Sequence, residues 1–205
     1  MRIGYCFTGS YCTFARSYKM LCRLVERGHE IVPIMSENAY STDTRFQLAE
    51  EFSKRVENVC SHPIIHTIAD AEPLGPKNPL DILIVSPCTG NTLAKVAHGI
   101  TDTAATMAIK AHLRQDRPLL LALASNDSMS QNLANIATLM QRKSVYFVPM
   151  LEDDPEKKPH SLVAEFELIE ECVDMMKKGE QMRPVFLSEA KCAATRSDIH
   201  SLCER

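Results

Sequence analysis

The stretch at residues 80–95 constrains the fold of this chain more than any other. It begins as an apolar run rich in β-branched residues, which predicts a strand buried on both faces of a sheet. Pro87 is expected to end that strand, because proline cannot donate to a β-ladder. Small polar residues follow, and Leu93, Val96 and Ala97 then take helical spacing. A strand, a tight polar loop and a helix N-terminus in this order predict a ligand site at the edge of an open parallel sheet.

Strand-like and helix-like patterns alternate along the rest of the chain. Besides the opening stretch, the predicted strands are residues 2–8, 31–35, 63–66, 117–124 and 145–149. Apolar residues at helical spacing separate them, and Leu162, Phe166, Ile169, Val173 and Met176 predict the clearest amphipathic helix. Short connections between alternating elements predict an α/β fold, a doubly wound, Rossmann-like parallel sheet with helices on both faces.

The pattern defines one domain, residues 1–187, in which residues 70–79 and 152–159 are expected to be surface loops. From residue 188 onward the periodicity fades, so 188–205 is predicted to be a flexible tail.

Small polar residues follow several of the predicted strands. In a parallel sheet the carboxyl ends of the strands meet at one edge, so these residues are expected to converge there. They are Gly9, Ser10, Ser36, Ser86, Cys88, Thr89, Asn91, Thr92, Ser125 and Asn126. Hydroxyl, amide and backbone N–H groups at helix N-termini suit a phosphate and a planar polar ring. They do not supply the titratable group that general acid–base catalysis needs.

The glycine spacing narrows the choice of nucleotide. It matches neither the dinucleotide fingerprint G-x-G-x-x-G nor the triphosphate-binding G-x-x-x-x-G-K-[ST], which leaves a mononucleotide such as FMN. Two structural alternatives stay open. The loop is also what a well-capped helix start with Thr89 as N-cap would require. Cys88 is either a thiolate stabilised by the helix N-terminus or a small residue packed beneath the loop.

Composition excludes several classes of function. The 205 residues carry a formal net charge of −3, which gives no basic surface for nucleic acid or for a membrane. No apolar run approaches the roughly 20 residues of a membrane span. Eight cysteines without a C-x-x-C pair indicate reduced thiols in a cytoplasmic protein and no zinc site. His62 and His66 alone are too few ligands to indicate a metal.

Four segments resemble the homo-oligomeric FMN-binding flavoprotein family, which includes phosphopantothenoylcysteine decarboxylase, peptidyl-cysteine decarboxylases and the prenyl-FMN synthases. In chain order they are residues 8–11, 86–95, 98–102 and 124–129. The first is similar to the family's glycine–serine loop and the second to its Pro-Ala-(Ser/Thr)-Ala-Asn-Thr signature. The third resembles its Gly-Ile-(Ala/Cys)-Asp turn and the fourth its Ala-Met-Asn-x-x-Met segment. The order and spacing of the four make the resemblance specific.

The resemblance implies a role for each strand-end loop. Gly9, Ser10 and Ser36 are expected at the phosphate or ribityl chain of FMN. The loop from Ser86 to Thr92 is expected to hold the phosphate and the ring edges, and Ser125 and Asn126 are expected near the substrate face of the flavin.

Some positions depart from the family pattern. Cys88 and Gly90 stand where the family has alanine, and Ser125 stands where it has methionine. His66 lies in the region of the decarboxylases' histidine but lacks its flanking pattern. These departures favour another branch of the family, an enzyme subunit of bacterial sporulation.

In that branch the resemblance implies oxidation of a dihydropyridine dicarboxylate together with a nicotinamide-binding partner subunit. NAD(P) would enter only through the partner, this chain would be a homo-oligomer, and the substrate would be a small-molecule dicarboxylate. The alternatives are an FMN-dependent decarboxylase of a cysteine-derived substrate, and a non-catalytic scaffold subunit whose site holds phosphate or is empty.

Overall fold

A computed structural model describes residues 1–188, so the predicted tail lies outside the described residues except for Ser188. Within residues 1–188 seven strands form one sheet. They are β1 (Arg2–Phe7), β2 (Glu30–Met35), β3 (Ile82–Cys88), β4 (Leu119–Ser125), β5 (Val145–Phe147), β6 (Met150–Glu152) and β7 (Leu162–Ala164). The strand order is β2-β1-β3-β4-β7-β6, and β5 pairs separately with β4.

Eight α-helices connect or flank these strands in the same part of the chain. They are α1 (Phe14–Glu26), α2 (Glu37–Ser41), α3 (Ala49–Cys60), α4 (Ile68–Ala71), α5 (Gly90–Ala97), α6 (Ala104–Leu113), α7 (Gln131–Met140) and α8 (Ile169–Met176). The predicted α/β fold with a parallel sheet is confirmed, since β1 to β5 pair in parallel. None of the helices in this range is long and apolar enough to cross a membrane.

Side-chain alternation along the strands builds one core on each face of the sheet. Ile3, Tyr5 and Phe7 of β1 point to a core shared with α1, α3 and α8. Cys6 points to the opposite core, which contains residues of α5, α6 and α7. β2 pairs with one side of β1 and β3 pairs with the other side. Because the strand order reverses there, a crevice opens at the carboxyl ends of β1 and β3.

Pro87 does not end β3 as predicted. The strand runs through it to Cys88, with a shift in register between Val85 and Cys88. The Pro87 carbonyl oxygen accepts hydrogen bonds from the backbone N–H of Thr8 at 3.2 Å and from the Thr8 hydroxyl at 2.8 Å. Pairing with the β1 side therefore continues past the proline, whose missing N–H is not needed there.

The predicted third strand is reduced to a single bridge. Ile65 pairs with Ile34, accepting from Met35 N at 2.9 Å and donating to Pro33 O at 3.0 Å.

Phe186 makes a similar bridge to Met150 at the far edge of the sheet. The Gln181 side chain bonds both backbone groups of Phe147 on β5, at 2.8 Å and 2.7 Å.

The predicted helix from Leu162 to Met176 is wrong in its first part. Residues 162–164 form β7, which pairs antiparallel with β4 and with β6, and α8 begins only at Ile169. Leu162 and Ala164 are buried while Val163 is half-buried, which is the period of a strand. The spacing from Leu162 to Phe166 fits a helix equally well, so a three-residue strand gave no separate signal. The expected surface loops at 70–79 and 152–159 likewise contain the end of α4 and the last residue of β6.

Candidate functional site

Two adjoining cavities occupy the crevice at the ends of β1 and β3. The larger has a volume of about 660 Å³ and the smaller about 260 Å³. Gly9, Thr89 and Asn91 line both, so the loops after β1 and β3 form the wall between them. The larger volume is within the range of about 300–1,000 Å³ that is usual for small-molecule sites.

The smaller cavity is lined by the N-cap residues of three helices. Ser36 caps α2, Thr89 caps α5 and Thr103 caps α6, and each hydroxyl oxygen accepts a backbone N–H at 3.1–3.3 Å. The first backbone amides of a helix have no intrahelical partner and carry the positive end of its dipole. The ends of α5 and α6 therefore make this cavity suitable for an anion such as phosphate.

One cation and one carboxylate modify the charge of the smaller cavity. Lys95 lines it and bonds Asp102 through its Nζ at 2.9 Å, a contact that lowers the pKa of Asp102. Glu37 also lines it, and its Oε1 accepts the backbone N–H of Ala104 at 3.0 Å. The N-terminus of α6 is thus already partly satisfied by a carboxylate, which leaves α5 and Lys95 as the main attraction for an anion.

The larger cavity is bounded on one side by the close approach of β4 and α5. A Cβ on Gly90 would lie 2.5 Å from Ser125 Oγ and 2.7 Å from Asn132 Nδ2. Asn132 donates to Asp127 Oδ2 at 3.2 Å and its own Oδ1 accepts from Asn135 at 3.0 Å. Glycine at position 90 and serine at position 125 are therefore coupled: the space of the missing methyl group is filled by the serine hydroxyl.

Thr8 fixes the two central loops against each other. Besides donating to the Pro87 carbonyl, its hydroxyl oxygen accepts the backbone N–H of Thr89 at 3.0 Å. Thr8 is 1% exposed, so these bonds are shielded from water. The position of the α5 N-terminus relative to Gly9 and Ser10 depends on this one hydroxyl group.

The structure brings together eight of the ten residues that the sequence predicted for the site. Ser10, Ser125 and Asn126 line the larger cavity, Ser36 and Thr92 line the smaller one, and Gly9, Thr89 and Asn91 line both. The remaining two, Ser86 and Cys88, line neither.

Both of these residues are fully buried. The Ser86 hydroxyl lies 2.9 Å from Ser17 Oγ, in a network that also contains the Tyr5 hydroxyl. Burial raises the pKa of the Cys88 thiol to about 12, so it is a neutral packed residue rather than a thiolate.

Several lining residues of the larger cavity were not predicted. Arg45 and Phe46 come from the segment between α2 and α3, and Asp153 and Lys158 come from the segment between β6 and β7. These segments lie outside the strand-end loops to which topology pointed, and nothing in their local pattern indicates that they meet the cavity. Arg45 and Lys158 add positive charge to a cavity whose strand-end loops contribute one charged residue, Asp127.

His66 lies outside the residues that line either cavity. Its ring stacks on Tyr40, with centroids 3.8 Å apart and an interplanar angle of 9°. Residues 1–188 contain no group of three or more His, Cys, Asp or Glu side chains that could hold a metal ion.

Comparison with known sequences assigns the class of protein to which this fold and its helix-capped crevice belong. The chain belongs to the flavoprotein family, whose model matches residues 1–179. It is 38% identical to the B subunit of dipicolinate synthase from Bacillus subtilis (strain 168), over 91% of this chain and 93% of that protein.

Solved structures agree with this assignment. The crystal structure of the dipicolinate synthase B subunit from Bacillus halodurans matches with a TM-score of 0.84 and 36% identity, over 91% of this chain and 96% of that one. The crystal structure of an FMN-dependent cysteine decarboxylase matches with a TM-score of 0.62 over 87% of this chain and 97% of that one. Its identity is 20%, so that likeness concerns the fold alone.

Proposed function

We propose that this chain is the flavin-binding subunit of a dipicolinate synthase. Together with a nicotinamide-binding partner subunit, it would oxidise a dihydrodipicolinate precursor to pyridine-2,6-dicarboxylate during bacterial sporulation. The observation that carries the proposal is the pair of joined cavities at the ends of β1 and β3, with an anion-attracting end and a wider end lined by both polar and apolar groups. The similarity to the dipicolinate synthase B subunit over 91% of the chain supports the reaction.

FMN fits the residues that are present. Its phosphate matches the smaller cavity, where Asn91, Thr92 and Lys95 offer donors beside the N-terminus of α5. The ribityl chain would pass Gly9 and Ser10, which line the larger cavity. The ring would extend along the wall formed by Gly90, Ser125 and Asn126.

The chemical step requires few acid–base groups from this chain. Aromatisation of the dihydropyridine removes one hydride and one proton: the hydride passes with its electron pair to an acceptor ring, and the proton passes to water. A bound flavin supplies such a ring, and the partner's nicotinamide is the other candidate acceptor. This chain's residues then bind and orient: hydroxyl and amide groups fix the cofactor, and the loops after β4 and β6 limit where a substrate ring can lie.

The assembly and the compartment belong to the same proposal. The family resemblance supports a homo-oligomer that works in the cytoplasm. A decarboxylase acting on a cysteine-derived substrate would need a histidine at the flavin, and no histidine is among the described residues that line the two cavities. The oxidising subunit is therefore the function that the site supports best.

The first experiment tests flavin binding. The purified protein should bind FMN with a changed visible spectrum, and Asn91→Ala should weaken binding roughly ten- to hundred-fold, since a hydrogen bond to a charged group contributes about 1.5–3 kcal/mol. Asn58→Ala is the matched control, because Asn58 is exposed on α3, away from both cavities. Unchanged binding in Asn91→Ala, or no uptake of FMN by the parent protein, contradicts the proposal.

The second experiment tests the reaction. With the partner subunit and NAD(P)⁺, the complete pair should form pyridine-2,6-dicarboxylate, and either subunit alone should not. Full activity of the partner alone would refute the subunit role. Release of CO₂ from cysteinyl substrates by this chain with FMN would favour the decarboxylase instead.

A further inference from the structure

Two basic side chains reach the larger cavity from opposite ends of the sheet. Arg45 lies in the segment after β2 and α2, at one end of the strand order, and Lys158 lies between β6 and β7, at the other. Both line the same cavity as Ser125 and Asn126, where the substrate is expected to lie. Neither belongs to a strand-end loop that was predicted to hold the cofactor.

A hydrogen-bonded turn holds Arg45 at the mouth of the cavity. The Thr44 hydroxyl oxygen accepts the backbone N–H groups of Phe46 at 3.2 Å and of Gln47 at 3.4 Å. The Arg45 guanidinium lies 4.9 Å from the centroid of the Phe46 ring, a distance typical of cation–π contact. Within residues 1–188 the Arg45 side chain forms no ion pair, so its charge is available to a ligand.

Lys158 is connected through Ser161 to the end of β4. Its Nζ lies 2.5 Å from Asp153 Oδ2, and this hydrogen bond raises the pKa of Lys158. The backbone N–H of Ser161 donates to Lys158 O at 3.0 Å, and the Ser161 hydroxyl donates to Ser125 O at 3.3 Å. The lysine is therefore positioned relative to the wall on which the substrate is expected.

We propose that Arg45 and Lys158 are substrate-positioning residues, each binding one carboxylate of a planar dicarboxylic acid. The inference rests on the proposed function and adds to it the residues that recognise the substrate. A guanidinium group can bind one carboxylate with two parallel hydrogen bonds, and an ammonium group binds the other as a point charge. Two carboxylates, Asp127 and Asp153, also line the cavity, and Asp153 competes with the ligand for Lys158.

Binding of pyridine-2,6-dicarboxylate to the purified protein, measured by calorimetry with and without FMN, tests the assignment. Arg45→Gln should weaken binding roughly ten-fold, the effect of losing one charge-assisted contact. Lys158→Gln should weaken it roughly three- to ten-fold, since its contact is shared with Asp153 and exposed to water. Asp153→Asn should strengthen binding, because it removes the competing carboxylate.

Arg142→Gln and Lys143→Gln are matched controls. Both residues are exposed, lie just after α7 and are absent from the lining of the cavity, so their substitution should leave binding unchanged. Pyridine-2-carboxylate, which carries one carboxylate, should bind more weakly than the dicarboxylate to the parent protein. For this monocarboxylate, the effects of Arg45→Gln and Lys158→Gln on binding should not add in the double variant.

The outcomes separate this inference from the proposed function. If the pair of subunits is active and Arg45→Gln and Lys158→Gln bind the dicarboxylate as well as the controls do, the inference is refuted and the function stands. If the variants lose dicarboxylate binding while the parent protein fails to take up FMN or to support oxidation, the carboxylate site stands and the function is refuted.

Discussion

Substitution of Gly90 by alanine tests whether the close approach of α5 and β4 is needed at the site. The added methyl group would lie 2.5 Å from Ser125 Oγ and 2.7 Å from Asn132 Nδ2. Ser125 would have to give up its bond from Asp127 N at 3.3 Å, and Asn132 its bond to Asp127 Oδ2 at 3.2 Å. Overpacking of this kind costs about 1–3 kcal/mol. We expect Gly90→Ala to lower the free energy of unfolding by about 2 kcal/mol, partly offset by the better helix propensity of alanine.

Urea unfolding followed by circular dichroism measures this change, with the midpoint falling and the slope m unchanged. Ser125→Gly removes the nearest atom, Oγ at 2.5 Å, and the Cβ at 3.3 Å, so the double variant should recover about 1 kcal/mol of the loss as coupling energy. Gly9→Ala is the control, because a Cβ at that position would meet nothing closer than Tyr11 at 3.8 Å. A loss below about 0.5 kcal/mol for Gly90→Ala, or strictly additive effects in the double variant, would show that the approach of α5 to Ser125 is not tight.

Three further substitutions test other parts of the structure. Thr8→Val should lower the free energy of unfolding by about 1–3 kcal/mol, because the buried hydroxyl group loses its hydrogen bonds to the Pro87 carbonyl and to the backbone N–H of Thr89. An unchanged urea midpoint would contradict this. Burial lowers the pKa of His112 to about 4, so the unfolded chain binds its proton first as the pH falls. Stability should therefore be complete above pH 6.5 and decline toward pH 4, by about 1.4 kcal/mol per pH unit at most, and His112→Gln should reduce that slope; equal slopes would contradict it. Arg16→Met should lower the free energy of unfolding by about 1.5–3 kcal/mol, since it removes a half-buried guanidinium that bonds the buried Glu165 carboxylate at 2.5 Å; an unfolding temperature equal to that of the parent protein would count against it.

The parallel core of the sheet could be predicted from the sequence. The apolar runs that form β1, β2, β3 and β4 alternate with segments whose apolar residues have helical spacing. The same topology led to the residues at the ends of β1, β2, β3 and β4, and eight of the ten predicted positions line the two cavities. Ser86 was placed with them by its position next to the loop. The direction of its side chain depends on the register shift after Val85, which the local sequence does not reveal.

The missed features are those that depend on contacts between distant segments. Leu162–Ala164 became a strand only because β4 and β6 offer it partners, and its apolar spacing alone also suits a helix. Arg45 and Lys158 meet at one cavity although they are more than a hundred positions apart and lie in segments without a motif. Thr8 was overlooked because a buried threonine beside a glycine has no distinguishing pattern until its hydroxyl partners are known.

The blocked margins of the sheet have a consequence for how copies of this chain can associate. An open strand edge is a template for another chain and for aggregation. Here Ile65 occupies the backbone groups of Pro33 and Met35 on β2, Phe186 bridges to β6, and the Gln181 amide bonds both groups of Phe147 on β5. Within residues 1–188, a single residue rather than another strand covers each of these sets of backbone groups. Continuation of the sheet from one molecule to the next through these backbone groups is therefore disfavoured.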